Sequence, residues 1–582
     1  MKKMIGCCLM CCLPLLATAQ MPQHEEPTDT KPHDSEAVWK QKLSAPALLW
    51  GSTNTRYAKL SLPTGKMEKS WKTTAWRGEC VNGQAVLYTP YDLRDVQLAT
   101  DGLRNGKYTI PNSAVTLSFV RYVLTDELNK DGKGGCGHRP DKTKWDSSIV
   151  ADALDPVKMM PIKACTTRPL WIGIQVPHDA QPGTYRGTLT VNSPDLKKPL
   201  LLPYEVRVTA RTLPKAHDWK FHLDLWQNPY AVARFYHVPL WSKEHFDYMR
   251  PSMERLAAAG QKVITASIMQ HPWNGQTADP FKSMVLRTKH IDGTWSYNYT
   301  VFDRWVEFMM STGIDEQINC YTMIPWALKF DYLDEATNSI QYLHATPGDK
   351  AYTTYWKNFL VDFAKHLKEK GWFTRTAIAI DERSMPHMRE AFKLVKEADP
   401  NYRISGQVHY YPEVEPLIDD LCLAYGETLP TEVWNRRRIE GKLTTVYTCC
   451  TEAYPNMFSF SAPAEAAWLP WHAMAGGYDG YLRWAYNSWT TNPLTDTRFR
   501  TWAAGDCYLV YPGASSIRLE KLIEGIQDAE KIRLLRQEFS QQEESAKLKR
   551  LNETVSRFMP ENMDGTNATE MVEEGRRVLN SL

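Results

Sequence analysis

Beyond its first twelve residues the sequence has no Cys-x-x-Cys pair. The remaining cysteines (Cys80, Cys136, Cys165, Cys320, Cys422, Cys449, Cys450 and Cys507) are scattered. That spacing excludes the common zinc-ligand patterns, and no metal or other cofactor is expected. Neither sign of charge is in excess: 69 Lys and Arg face 67 Asp and Glu, a net charge of +2. There is thus no electrostatic case for nucleic acid as a partner. No repeat of 20–50 residues is visible. "GKGG" at 132–135 is followed by Cys136 instead of the Lys-Ser/Thr a phosphate loop requires. In the same stretch Glu127, Asn129 and Asp131-Gly132 faintly suggest a calcium loop, but its twelfth position is His138 and not Glu, so 126–141 reads as a surface loop. After the N-terminus no apolar run of about 20 residues occurs, so no spanning helix and a soluble mature protein are expected.

What is present in quantity is aromatic side chains, 21 Trp and 28 Tyr in 582 residues. Such rings stack on the apolar faces of sugars while their N–H and O–H groups reach hydroxyls; the plainer alternative is that large β-rich proteins use Trp in their cores. The length implies two or three domains. Lys2 and Lys3, an apolar stretch over 4–16 and "ATA" at 17–19 form a secretory signal over 1–19, which makes Gln20 the expected first mature residue and the periplasm or exterior the expected location. A lipid-attachment reading of Cys7 is disfavoured by the short apolar sequence before it. Disulfides are compatible with that compartment, with their pairing open.

Residues 20–40 are polar and Pro-containing and read as a flexible linker. Residues 41–214 alternate apolar and polar positions between turn signals, as in "LWIGIQVP" and "GTYRGTLTVNS", which predicts a β-sandwich. From 215 to 514 strands and helices alternate. Strands are expected at 219–226, 262–269, 317–324, 375–381, 403–408, 421–426, 443–449 and 480–486, eight β-then-α units that match a (β/α)8 barrel. Phe246, Met249, Met253 and Leu256 mark the helix after the first strand, stopped by Gly260. Thr346-Pro347 is expected to open a helix running to about Gly371. "MVLRTKHIDGTWSYNYT" (284–300) is expected to be a hairpin turning at Asp292-Gly293. Residues 515–582 read as helical, with Leu519, Leu522, Ile523 and Ile526 on a face that packs on the barrel wall.

In such a barrel the chemistry sits where strands end and βα loops begin. Those positions hold Trp226, Gln227 and Asn228; Gln270, His271 and Trp273; Trp326; Asp381 and Glu382; His409, Tyr410 and Tyr411; Glu427; Glu452 and Tyr454; and Trp484, Tyr486, Asn487 and Trp489. The substrate-binding candidates are Trp226, Gln270, His271, Trp326, His409, Tyr410, Glu452, Trp484, Tyr486 and Asn487. Any one of them alone is more simply packing, and "RWAYNSW" could in part fill the barrel. An aromatic cup with several carboxylates is what a sugar-cleaving site requires.

"AIAIDERSM" (377–385) runs a buried strand into two adjacent acids. Adjacent strand residues point to opposite faces, so both can enter one pocket only where the strand ends and turns. Asp381 could instead cap the next helix while Glu382 faces solvent. Two acids in one pocket repel, and at least one pKa should rise, which suits a proton donor. Two schemes fit. In one, Glu382 is the acid/base and a distant Glu452 or Glu427 is the nucleophile, about 5–5.5 Å away. In the other, the substrate's own 2-acetamido oxygen attacks, Asp381 holds the acetamido N–H, and Glu382 protonates the leaving oxygen. Neighbouring acids suit the second scheme. A non-catalytic glycan-binding protein is the alternative from another class.

"AIAIDE" at a strand end, "WIGIQVPHDAQPGTYRGTLTV", "GYLRWAYNSW" and "GDCYLVYPG…SSIRLEKLIEGIQDAE" together resemble glycoside hydrolase family 123, over roughly 45–540. The resemblance implies a β-sandwich followed by a (β/α)8 barrel, and retaining, substrate-assisted release of terminal β-linked N-acetylgalactosamine. It assigns Asp381 to the acetamido-stabilising role and Glu382 to general acid/base, without a cofactor.

Overall fold

A computed structural model describes residues 21–29, 33–126, 147–500 and 502–582. The signal-like segment 1–19 and the loop with Glu127 to His138 lie outside the described residues. Residues 47–212 form two facing sheets. One orders Ala47–Gly51, Cys80–Thr89, Thr166–Gln175, Val115–Asp126 and Ser147–Asp155; the other is built on Trp71–Arg77, Leu200–Thr212, Gly183–Asn192, Leu93–Ala99 and Met159–Ile162. Alternation explains the packing: Tyr185, Leu189 and Val191 are buried between the sheets. Gly187, in the same strand, lies opposite Tyr204, whose ring would sit 2.6 Å from any Cβ there. Only glycine lets that ring lie flat on the neighbouring backbone.

The expected linker is not free. Met21 is buried in the large core, and Glu26 pairs with Lys59 at 2.7 Å and with Arg168. Residues Glu36–Lys42 are a helix that buries Trp39. A polar composition hid two apolar anchors, and one charge whose partners lie far along the chain.

Eight parallel strands follow: β1 (His222–Leu225), β2 (Val263–Ser267), β3 (Gln317–Tyr321), β4 (Thr376–Asp381), β5 (Arg403–Gln407), β6 (Asp420–Ala424), β7 (Leu443–Tyr447) and β8 (Gly480–Arg483). Each pairs with its sequence neighbour from β2 round to β8, and β8 pairs with β1. The last seam, β1 to β2, is made by one bridge, Leu223 to Gln261, and by the Gln261 side chain, which accepts from Leu225 N–H at 2.9 Å. The strands read as continuous apolar runs because helices cover them outside and side chains fill them inside. All six residues of β4 are buried.

The helix Lys243–Ala258 ends at Gly260, in the left-handed region at φ +88°. The helix expected from Thr346 starts later, at Lys350, because Asp349 occupies the cap and Thr346 and Asp349 instead close a turn on each other. The hairpin Leu286–Lys289 with Trp295–Asn298 turns through Gly293. A second hairpin, Lys329–Asp334 with Ser339–His344, joins it in one four-stranded sheet beside the barrel mouth.

The tail does more than cover the barrel wall. In the helix Ile517–Gln541, Leu519, Leu522 and Ile526 are buried and Ile523 is half-buried, while Lys521, Glu524, Gln527 and Lys531 are buried too. This polar side meets the sandwich: Gln527 bonds both backbone groups of Cys80, Glu524 accepts from Asn82, and Lys531 pairs with Glu79. Ser515–Ser516 adds to the sandwich sheet beside Ser147–Asp155. The helix is thus a spine between the two domains. Cys450 is disulfide-bonded; Cys80, Cys165, Cys320, Cys422, Cys449 and Cys507 are free. Among the described residues no helix is long and apolar enough to cross a membrane.

Candidate active site

A cleft opens at the C-terminal ends of the barrel strands. Its wall comes from strand termini: Trp226 after β1, Asp381 at the end of β4, Gln407 at the end of β5, Tyr447 at the end of β7 and Trp484 after β8. Loop residues Gln276, Trp326 and Trp502 complete it, with Cys449 and Cys450 at one side. Apolar rings with a few converging polar groups make a small-molecule site.

Asp381 and Glu382 both line this cleft. Asp381 is buried at the last β4 position, in register with Gln407, while Glu382 is exposed at the mouth. The strand ends between them, which lets neighbours share one pocket. Asp381 does not cap the next helix, whose cap residue is Ser384. Its Oδ2 accepts from Arg383 Nη1 at 3.1 Å; its Oδ1 is buried with no partner. Burial pushes the Asp381 pKa up, the Arg383 cation opposes this, and the adjacent Glu382 adds to the rise.

Arg383 is itself fixed. Its Nε donates to Ile324 O at 2.6 Å and its Nη2 to Pro272 O at 3.3 Å, and its guanidinium lies 5.2 Å from the centre of the Trp326 ring. It therefore orients Asp381 and Trp326 together. The Tyr447 phenol donates to Glu382 Oε1 at 2.5 Å. Burial, and then the Glu382 charge, hold that phenol in its protonated form. Trp226 forms the floor, stacked on Trp273 at 4.9 Å and against Tyr321 at 4.5 Å. Trp484 is held by Asp506, which accepts from its Nε1 at 3.1 Å and from Arg483 Nη2 at 2.7 Å.

The structure brings Trp226, Trp326, Asp381, Glu382 and Trp484 together and leaves the other candidates outside the cleft. Tyr486 is in the core, its phenol donating to Ser252 O at 2.8 Å. Asn487 clamps the β8 end to β1, exchanging two hydrogen bonds with the Asn228 backbone. Tyr486 lies outside the cleft, in the barrel filling that "RWAYNSW" also allowed, because the strand expected to reach 486 stops at Arg483. Glu452 accepts from Cys449 N–H at 2.8 Å and Thr451 Oγ at 2.9 Å, which folds its own loop. His409 pairs with Glu427 at the rim, and Tyr410 packs against the main core. Gln270 and His271 line a separate pocket. Neither Glu427 nor Glu452, the alternative nucleophiles, lines the cleft.

Sequence reasoning missed Arg383, Tyr447, Gln276, Gln407 and Trp502. Two of these had a signal. Arg383 stands two residues after Asp381, so a chain leaving the strand can return it to the same side. Tyr447 ends β7, but reading that strand on to residue 449 shifted attention to Glu452 and Tyr454. Among the described residues no group of three or more His, Cys, Asp or Glu is placed to hold a metal ion.

Comparison with known proteins agrees with this architecture. The family model of the glycoside hydrolase 123 catalytic domain matches residues 226–535, and that of the glycoside hydrolase 123 N-terminal domain matches 50–193. No curated protein matches. Among solved structures, a family 123 glycoside hydrolase from Clostridium perfringens, described for its glycolipid glycan hydrolysis, is similar. It aligns with a TM-score of 0.81 and 25% identity over 92% of this chain and 98% of its own. A β-glucuronidase from Parabacteroides merdae aligns with a TM-score of 0.27 and 9% identity over 78% of this chain and 50% of its own, too low to carry an argument.

Proposed function

Because the chain belongs to glycoside hydrolase family 123, we propose that it is an exo-acting, retaining β-N-acetylgalactosaminidase that works through the acetamido group of its own substrate. The observation that carries this reading is the division of labour between the two acids. Asp381, one of the residues lining the cleft, is buried, held at one oxygen by Arg383, and has its other oxygen unpartnered. That oxygen suits an acetamido N–H. Glu382 sits at the mouth with Tyr447 on Oε1, leaving Oε2 to carry a proton towards a leaving oxygen.

In the proposed sequence the acetamido oxygen attacks the anomeric carbon as the bond to the leaving oxygen breaks and Glu382 gives that oxygen its proton. The positive charge spread over the resulting oxazolinium is stabilised by Asp381. Glu382, now a carboxylate, takes a proton from water as that water opens the ring at the same carbon. The acid is restored, and two inversions give net retention. Trp226 and Trp484 supply ring faces for the sugar, and the floor at Trp226 fits a terminal residue. Glycolipid glycans are the proposed natural source, as for the similar clostridial enzyme. The N-terminal segment supports export, with a periplasmic or secreted enzyme beginning at Gln20; N-terminal sequencing of the native protein tests this.

The decisive assay is a panel of aryl β-glycosides that differ at C2 and C4, with an oxazoline-mimicking thiazoline as inhibitor. The 2-acetamido galacto substrate should be cleaved with retention by proton NMR, and the thiazoline should inhibit. Equal rates on the 2-hydroxy galactoside would overturn the acetamido mechanism.

A further inference from the structure

Next to the cleft lies a second, smaller pocket that the mechanism does not use. Gln270, His271, Asn274, Lys329 and Tyr342 contribute to it. The two compartments share a wall. Trp326 lines the cleft, its chain neighbours Pro325 and Ala327 line the second pocket, and Arg383 ties the segments on either side through Ile324 O and Pro272 O. Trp326 is 49% exposed, a large ring left open at the junction. His271, Asn274 and Leu328 all hold left-handed backbone, at φ 52°, 50° and 47°, conformations that non-glycine residues adopt at a cost. Three such residues in two facing loops mean that this pocket is shaped at the expense of local stability.

Its chemistry is polar and cationic. The Lys329 ammonium is exposed, stands 3.7 Å over the Tyr342 ring and is paired with no carboxylate among the described residues. The charges acting on His271 are Asp331 first, then Lys329 and Lys282. Amide side chains, an imidazole and a second exposed ring complete a surface suited to a sugar that bears negative charge. An exo-acting cleft closed by Trp226 holds only the terminal residue, so whatever lies beyond its mouth belongs to the leaving group. We propose, resting on the glycosidase reading above, that this second pocket is a leaving-group subsite for an anionic sugar, its carboxylate or sulfate set against Lys329.

The test compares the wild type, Lys329→Gln and Lys329→Arg on an aryl β-N-acetylgalactosaminide, a neutral β-N-acetylgalactosaminyl lactose, and the same oligosaccharide carrying N-acetylneuraminic acid or a sulfate ester on its galactose. The wild type should favour an acidic oligosaccharide over the neutral one by about fivefold in kcat/KM, the scale of a part-exposed ion pair. The preference should disappear in Lys329→Gln, persist in Lys329→Arg, and shrink as salt is raised. The aryl glycoside should be cleaved equally by all three. The sialylated and sulfated arms tell which acid is read. Equal rates on neutral and acidic oligosaccharides, or a preference that survives Lys329→Gln, would overturn the subsite. A wild type inactive on the aryl glycoside would sink the functional reading instead. Calorimetric binding of the neutral, sialylated and sulfated oligosaccharides to wild type and Lys329→Gln then decides the subsite without turnover: charge-dependent binding lost in the variant supports it, and charge-blind binding overturns it.

Discussion

Asp152 and Asp381 are both buried, both on strands, and both bonded to arginine, yet their surroundings push them in opposite directions. Asp152 is the extra residue of a β-bulge: Arg121 pairs with Ala153 and Tyr122 with Ala151, so the side chain between them is turned out of the sandwich. There it accepts from Arg56 at 3.0 Å on one oxygen, and from Arg518 at 2.9 Å and Tyr511 at 2.6 Å on the other. Burial raises its pKa, but Arg518 and Arg56 outweigh burial and the carboxyl titrates below its usual range. Asp381 has one arginine and one bonded oxygen, and burial prevails. A buried carboxylate that holds domains together has its lone pairs filled by the protein. Asp381 is left partly unfilled, which is what a carboxylate that takes a ligand in the proposed mechanism requires.

This contrast is sharpest in what each removal should cost. Glu382→Gln, at the exposed end of the pair, should lower kcat on an aryl β-N-acetylgalactosaminide by about 10²–10⁴-fold, the usual share of a general acid. Asp381→Asn should lower kcat with a loss of thiazoline affinity. Glu382→Gln, at an exposed position, should leave the unfolding free energy within about 0.5 kcal/mol, and Asp381→Asn, which keeps an oxygen for Arg383, should cost less than the loss of Asp152. If Asp381→Asn unfolds the protein instead, the distinction between the two aspartates fails.

Asp152→Ala should do the reverse. It leaves Arg56 and Arg518 buried without their shared anion, a change that costs about 3–5 kcal/mol. Denaturant titration should show that loss, while kcat per folded molecule stays unchanged. The sign with pH follows from the lowered pKa. The stability Asp152 contributes is present above the unfolded-state value of 3.8 and is lost as pH falls through the lower folded value. The variant should lack that part of the acid dependence.

Much of this contrast could be read in the sequence, and its limits are physical. The eight barrel strands announce themselves because each is buried on both faces, so "TAIAID" and "LTTVY" need no partner to be recognised. The hairpin at 286–298 was visible through Asp292-Gly293. Its companion at 329–344 was not, because the left-handed position of its turn is filled by Asn338 and not by glycine. The acid pair and three of the rim aromatics were legible because strand ends in a barrel converge on one face. Tyr486 and Asn487 were misplaced because a strand three residues shorter changes which side chains face inward. The network around Asp152 could not be read at all: its partners stand 96, 359 and 366 positions away, and a bulge has no pattern of its own.

The finest separation comes from Arg383, which acts on the reaction only through Asp381 and Trp326. Its cation opposes the burial that raises the Asp381 pKa, so Arg383→Gln should raise it further. The proposed mechanism needs Asp381 ionised. The acid limb of kcat/KM against pH should therefore move to higher pH, and activity should recover in part on the alkaline side of the new limb. Arg383→Lys keeps the charge but cannot bond Ile324 O, Pro272 O and Asp381 at once, because an ammonium lacks the rigid fork. It should leave the limb near its wild-type position while lowering the plateau. A uniform loss of activity in both variants, with the limb unmoved, would make Arg383 a packing residue. Asp381 would then need another cause for an oxygen that no protein group fills.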